Sequence, residues 1–338
     1  MRGLSGFRRF GGFATNTTSP QPNKNELLST MTKVRFVFLD NHVWAWYNLN
    51  NAYLRIVPQI ANKASGIIMK TVNGVFMSNI DDFLIENDIL LRYFGDDAEV
   101  VIPNGVKSIS HEAFWDHNSL KSITFPASVT SIDARMFYHG DSLERITVDK
   151  GNAVYHSVNN CVIETKSKKL VAACNGSIIP NDGSITSIGE WAFSGYSSLT
   201  NITIPESIAS IGKYAFNSRD NLASIDIPSS VTSIGEGAFS QCMSLRNITI
   251  PNSVTSIDKN AFAECICLEN IILPPSITKI SERVFWCCFE LKNVTIPSSV
   301  TSIEELAFGN CKALAFTTPA GSYAAEYAKK NGIKVNLI

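Results

Sequence analysis

Phenylalanine recurs in one register along most of this chain: Phe114 and Phe137, then Phe193, Phe216, Phe239, Phe262, Phe285 and Phe308, 23 residues apart within each run. Pro103, Pro126, Pro205, Pro228, Pro251, Pro274 and Pro297 keep the same register. So do Leu120, Leu143, Leu199, Leu222, Leu245, Leu268, Leu291 and Leu314. Three columns sharing one period mean a stack of like units, each too small to bury its apolar face without a neighbour. The expected fold class is a repeat solenoid, mainly β, built from 23-residue coils.

The copy IPSSVTSIGEGAFSQCMSLRNIT, residues Ile227 to Thr249, shows how one coil is read. From Leu245 to Ile250 the residues alternate, with Ile248 and Ile250 on one face and Asn247 and Thr249 on the other, which is strand periodicity. Pro251 ends that strand because it has no backbone N–H to donate to a ladder. A shorter strand is expected at Val231–Ile234, with the Ala238-Phe239 pair in a turn or short 3₁₀ piece beyond it. The position of Gly189, Gly212 and Gly235 is held by Asp258, Ser281 and Glu304 in other copies, so a left-handed backbone is not required there.

The register breaks between Leu143 and Pro180, where DKGNAVYHSVNNCVIETKSKKLVAACNGS replaces a coil. This stretch, about 149–179, reads as a β-hairpin insertion with strands Cys161–Thr165 and Leu170–Cys174 and a basic turn carrying Lys166, Lys168 and Lys169. Insertions into solenoids lie on one face and often localise binding.

Both ends depart from the repeat. Residues 1–30 carry Arg2, Arg8, Arg9 and Lys24, hold no acid before Glu26, and are rich in Gly, Ser, Thr and Pro, the composition of a flexible or docking arm. They hold no apolar stretch of the roughly 7–15 residues that a secretory signal needs. A cytoplasmic or assembly-associated location is therefore expected over the cell surface, and Met31 is a second candidate start. Residues 31–83 form a β-rich N-terminal module or cap, with strands in KVRFVFLD, HVWAWYN, AYLRIV and GIIMKTVNGVFMS and a hairpin turn at Asn73-Gly74. The solenoid proper spans 84–318. Residues 319–338 close it with a helix capped by Ser322, running through Lys330 and ended by Gly332, and a strand at Ile333–Ile338.

The motif I-P-x-S-V-T-S-I-x-x-x-A-F-x-x-C-x-x-L, at Ile227–Leu245, Ile250–Leu268 and Ile296–Leu314, resembles the BspA-like leucine-rich repeat family. The resemblance covers roughly residues 84–338, including LIENDILLRYFGDDAEVVIP at one end and GSYAAEYAKKNGIKV at the other. It implies a leucine-rich repeat array and, as for members on bacterial surfaces and in some microbial eukaryotes, adhesion to proteins or host surfaces.

Candidate chemistry is sparse. Eight cysteines include a column at Cys242, Cys265, Cys288 and Cys311, which stacks either as disulfide-bonded neighbours or as a row of small buried thiols. Cys267 and Cys287 fall outside it, and the adjacent Cys287-Cys288 pair lacks the spacing of a zinc site. His111, His117 and His139 fall near the same turn of neighbouring coils without a carboxylate or thiol at matching spacing, and read as surface polar residues. No Gly-rich phosphate loop, nucleophile elbow, HExxH or paired-carboxylate pattern occurs, so no catalytic residue, cofactor or metal is expected. A net charge of −1 gives nucleic acid no electrostatic footprint, and no apolar run reaches the roughly 18 residues of a membrane span.

These observations point to a non-catalytic solenoid that binds a protein or glycan partner through its sheet face or hairpin. The candidate surface comprises Trp115 and Tyr138, which follow the Phe column, the lysines Lys166, Lys168 and Lys169, and the outward Asn247, Asn270 and Asn293. The alternative is a structural or decoration subunit of a larger assembly, such as a virion or organellar complex, held through residues 1–30.

Overall fold

In a computed structural model of the chain, residues 82–115, 117–137, 142–195 and 200–338 are described, together with the backbone of three strands before them. The arm at 1–30, the Asn73-Gly74 turn, Tyr138 and His139 lie outside the described residues. The chain divides into two compact units, Met1–Met69 and Lys70–Ile338. In the first, β1 (Val34–Leu39), β2 (Val43–Asn48) and β3 (Tyr53–Pro58) pair antiparallel in chain order, in the segments whose sequence reads as strands.

The second unit opens with the antiparallel pair β4 (Phe83–Glu86) and β5 (Ile89–Tyr93). Strands then alternate between a front sheet and a back sheet. Front strands β6 (Glu99–Val101), β8 (Ser122–Phe125) and β10 (Arg145–Val148) are parallel, and back strands β7 (Ser108–Ile109) and β9 (Ser131–Ile132) extend from β5. At the break come β11 (Tyr155–Val158), β12 (Cys161–Glu164) and β13 (Lys169–Ala173). Back strands resume with β14 (Ser187–Ile188) and β15 (Ser210–Ile211), followed by front β16 (Ser224–Asp226) and back β17 (Ser233–Ile234). The alternation continues through β18 (Asn247–Thr249), β19 (Ser256–Ile257), β20 (Asn270–Ile272) and β21 (Lys279–Ile280). It ends with β22 (Asn293–Thr295), β23 (Ser302–Ile303) and β24 (Ala315–Thr318). The result is a β-solenoid of about ten coils spaced about 23 residues.

Each motif residue has a physical task. The prolines open tight turns in which the residue three positions on donates back to the Pro carbonyl, as Val231 does to Pro228 at 3.1 Å. In five coils the serine before the Val or Ile (Ser128, Ser230, Ser253, Ser276 and Ser299) donates its hydroxyl to a carbonyl of the preceding coil. Ser253 reaches Val231 O and Ser230 reaches Ile208 O, both at 2.7 Å. The phenylalanines form a continuous stack from Phe193 to Phe308, with ring centroids 5.2–5.7 Å apart and planes within 14°.

A third ladder runs beside the Phe stack. Trp191, Tyr214, Gly237, Asn260, Arg283 and Leu306, each two residues before a Phe, take φ between 51° and 59°. That left-handed conformation aims their N–H groups at the next coil: Trp191 donates to Lys213 O at 2.9 Å and Tyr214 to Glu236 O at 2.8 Å. Backbone hydrogen bonds thus offset the strain of αL residues. At Gly189, Gly212 and Gly235 φ is not left-handed, but the coils approach closely. A Cβ at Gly212 would sit 2.7 Å from the Ile188 carbonyl oxygen.

The insertion is built into the stack, where the sequence reading expected it on one face. The solenoid holds two cores, and β12 and β13 stand between them. Val162 and Ala172 pack into the N-terminal core, while Cys161, Ile163, Leu170 and Ala173 pack into the C-terminal one. The strands pair antiparallel, yet Lys169 and Leu170 also pair parallel with Ser187 and Ile188, so β13 supplies the back strand of the irregular coil. Burial on both sides explains why Cys161, Val162 and Ile163 are consecutive apolar residues without alternation.

The C-terminal end is closed by α1 (Tyr323–Lys330), whose Ala324 and Ala328 complete the core. Ser322 Oγ accepts the Ala325 N–H at 3.2 Å as N-cap, and Gly332 follows at φ 69°. The final strand β25 (Lys334–Leu337) pairs parallel with β24.

Candidate functional site

The outward row of the front sheet comes from strand alternation. Ile248, Ile271 and Val294 point into the core, which leaves Asn247, Asn270 and Asn293 exposed on β18, β20 and β22. Asn293 Nδ2 donates to Asn270 Oδ1 at 3.1 Å, a rung of an amide ladder. One step along the strands, Thr249, Ile272 and Thr295 continue the face, and Ile272 is 68% exposed. The flank carries a charge ladder, with Glu269 3.0 Å from Lys292 and 3.8 Å from Arg246. Lys292 holds the Glu269 carboxyl below its ordinary range, chiefly by the hydrogen bond between them.

The basic turn is divided. Lys166 and Lys168 are exposed, while Lys169 lies at the start of β13 with Nζ 3.3 Å from Glu164. Trp115 is half-buried at the turn after Phe114, where its carbonyl oxygen lies 3.2 Å from His117 Nδ1. His117 packs 5.3 Å from the Tyr93 ring, and burial pushes its pKa down. His111 lies 3.7 Å from Glu112. Among the described residues no group of three His, Cys, Asp or Glu side chains converges.

All eight cysteines are free thiols. Those of the column are row members: Cys242, Cys265, Cys288 and Cys311 donate to the carbonyls of Phe216, Phe239, Phe262 and Phe285 at 3.1–3.2 Å. Burial pushes the Cys242 thiol up to about 12 and those of Cys265 and Cys288 well above their ordinary value, so none is a thiolate nucleophile at neutral pH.

One aromatic pair escaped the sequence reading. Trp191 and Tyr214 stack with centroids 4.4 Å apart and planes at 27°. Tyr214 in turn lies over Gly237, where a Cβ would come within 2.1 Å of its ring. Its hydroxyl donates to Glu236 at 3.2 Å, and Lys213 Nζ lies 5.3 Å from its ring centroid. The available signal was a 23-residue spacing two positions ahead of the Phe column.

The break also opens the front sheet. Ile178, Asn181, Asn201, Ile202 and Glu206 line a groove of about 480 Å³, with Ile178 69% exposed.

The BspA type leucine rich repeat region matches in six copies over residues 96–161 and 186–315, more than half of the chain. The chain belongs to the BspA-type leucine-rich repeat family. Among solved structures it is similar to a leucine-rich cell surface protein of Faecalibacterium prausnitzii, at 29% identity and TM-score 0.49, over 70% of this chain. It spans 62% of that relative's length. It is also similar to the pneumococcal vaccine antigen PcpA, at 18% identity and TM-score 0.51, over 72% of this chain and 69% of that one. A leucine-rich repeat protein of Eubacterium ventriosum aligns at 18% identity and TM-score 0.52, over 83% of this chain and 90% of that one. At such identities the last two likenesses speak for the fold alone. No curated protein matches the chain. Among the described residues no helix is long and apolar enough to cross a membrane.

Proposed function

We propose that this chain is a non-catalytic, adhesin-like binding solenoid that engages a partner protein through the outward face of β18, β20 and β22. The observation that carries this reading is the row Asn247, Asn270 and Asn293 beside Thr249, Ile272 and Thr295. Asn270 and Asn293 stand opposite each other on the paired parallel strands β20 and β22, so they offer amide donors and acceptors at strand spacing. Ile272 places one well-exposed apolar side chain within that polar field. Lys166 and Lys168 on the exposed β12–β13 turn are the candidate secondary contact.

The experiment is site-specific photocrosslinking in the native source, with the reactive group at Asn270 or, as a control, at Lys330 on the helical cap. A protein partner joined from Asn270 alone, and bound at least about tenfold more weakly by Ile272→Asp, is the expected result. Equal labelling from both positions, with Ile272→Asp binding unchanged, would show that the face is not the interface.

A further inference from the structure

The break in the repeat leaves a polar cleft on the back side of the solenoid. Its cause is topological. The back strand β9 pairs with β7 alone, and β13 pairs with β12 and β14, so the back sheet is split between β9 and β13. The cleft has a volume of about 400 Å³, within the range of small-ligand sites. Asp133 and Arg135 form one wall, Lys169 and Val171 of β13 the floor, and Gly189, Glu190 and Trp191 the other wall.

The walls are preorganised. Arg135 grips Asp133 in a two-point fork, Nε to Oδ1 at 3.0 Å and Nη2 to Oδ2 at 2.6 Å. Burial alone would raise the Asp133 carboxyl, but the Arg135 hydrogen bonds and charge hold it below its usual range. Across the cleft, Glu190 Oε1 accepts the Trp191 indole N–H at 3.2 Å. Its charge reaches Arg135 and adds to the Asp133 influence that raises the guanidinium pKa. Trp191 is backed by Tyr214, and Tyr214 by Gly237, so the indole stands on one ring that is itself seated on a glycine.

We infer that this cleft is a binding site for a neutral glycan, whose pyranose ring lies against Trp191 while its hydroxyls bond to Asp133, Arg135 and Glu190. The apolar C–H face of a hexose matches a half-buried indole, and vicinal hydroxyls match carboxylate and guanidinium groups held in fixed pairs. Charge selects the class. Arg135 is paired with Asp133 and Lys169 with Glu164, which leaves the Glu190 carboxylate as the unbalanced charge of the lining, so an uncharged polyhydroxylated ligand is favoured over a sialylated or sulfated one. The assignment rests on the reading of the chain as a binding solenoid, and adds a second site on the side away from the Asn247–Asn293 row.

The test is titration of the full chain with two probe sets, neutral hexose oligosaccharides (glucan, mannan and galactan fragments) and sialylated or sulfated ones. Binding is read by tryptophan fluorescence and by saturation-transfer NMR. The expected result is saturable binding of a neutral probe, weakened at least about tenfold by Trp191→Ala and by Arg135→Ala. Binding by Lys330→Ala, on the helical cap, should be unchanged. Trp191→Phe, which keeps a ring on Tyr214, should fold normally and bind weakly, so the outcome does not hang on the stability of the alanine variant. Binding of charged probes alone, of no probe, or of neutral probes equally by both cleft variants would overturn the assignment. A chain that binds no glycan yet still crosslinks a partner from Asn270 would lose the cleft and keep the sheet-face reading.

Discussion

The thiol of Cys265 donates to the carbonyl of Phe239 in the preceding coil at 3.1 Å, and both residues are completely buried. The cysteine of the repeat motif is therefore a hydrogen-bond donor across the coil interface as well as a small apolar filler. Cys265→Ala removes the donor and leaves the Phe239 carbonyl with the Cys242 N–H alone, 3.3 Å away, so the expected loss in chemical denaturation is about 0.5–1.5 kcal/mol. Cys265→Ser, which restores a hydroxyl donor, should recover part of that loss. Equal losses in the two variants would mean that volume alone matters at this position.

The same row makes stability sensitive to alkaline pH. Burial disfavours the Cys242 thiolate and pushes the thiol of the folded chain up to about 12, from an ordinary value of 9.0. An unfolded chain loses that proton first, so it binds fewer protons than the folded chain between those values and stability falls as pH rises. At pH 10 the expected cost is on the order of 1 kcal/mol per buried thiol of the row. Denaturation midpoints measured from pH 7 to 10 should decline in the native chain. They should decline less in a variant with Cys242 and Cys265 both replaced by serine.

Phe262 sits in the middle of the ring stack, 5.5 Å from Phe239 and 5.7 Å from Phe285, and is completely buried. Phe262→Leu keeps apolar volume but breaks the stack on both sides, whereas Phe262→Ala also leaves a cavity. Losses of about 3–5 kcal/mol for alanine, and distinctly less for leucine, are expected in urea denaturation. Because coils exchange stability mainly with their neighbours, the alanine variant should also turn one transition into two. Native-state hydrogen exchange would then show protection lost around Phe262 before it is lost around Phe114.

The repeat was legible because each of its columns serves one uniform need. Pro opens a turn, Phe stacks, Leu fills, and Ser reaches the coil before it. The C-terminal helix was legible for a local reason, since Ser322 caps it within one turn. What stayed hidden depends on relations between coils. Trp191 and Tyr214 occupy left-handed positions that a sequence advertises only through Gly or Asn, as at Gly237 and Asn260. The two-faced role of β12 and β13 was hidden because buried-both-sides strands read like any apolar run. The cleft between Arg135 and Trp191 joins residues more than two repeats apart in sequence. Among the outward residues, Asn270 and Asn293 were legible as a ladder because strand alternation fixes the face.

Gly237 tests whether the aromatic support is held from below. It combines φ of 59° with a ring lying where a Cβ would be, 2.1 Å from a Tyr214 ring carbon. Alanine there must pay the left-handed backbone cost of about 1–2 kcal/mol and also displace Tyr214. Gly176 separates the two effects, since its φ is 75° and a Cβ there meets nothing within 4 Å. Gly176→Ala should therefore show only the backbone cost in thermal denaturation. Gly237→Ala should show a larger loss together with a changed near-ultraviolet circular dichroism spectrum, because the Trp191–Tyr214 stack must move. If both variants lose the same stability and keep the native spectrum, Tyr214 does not depend on Gly237 for its seat, and the indole of Trp191 owes its position to its own coil.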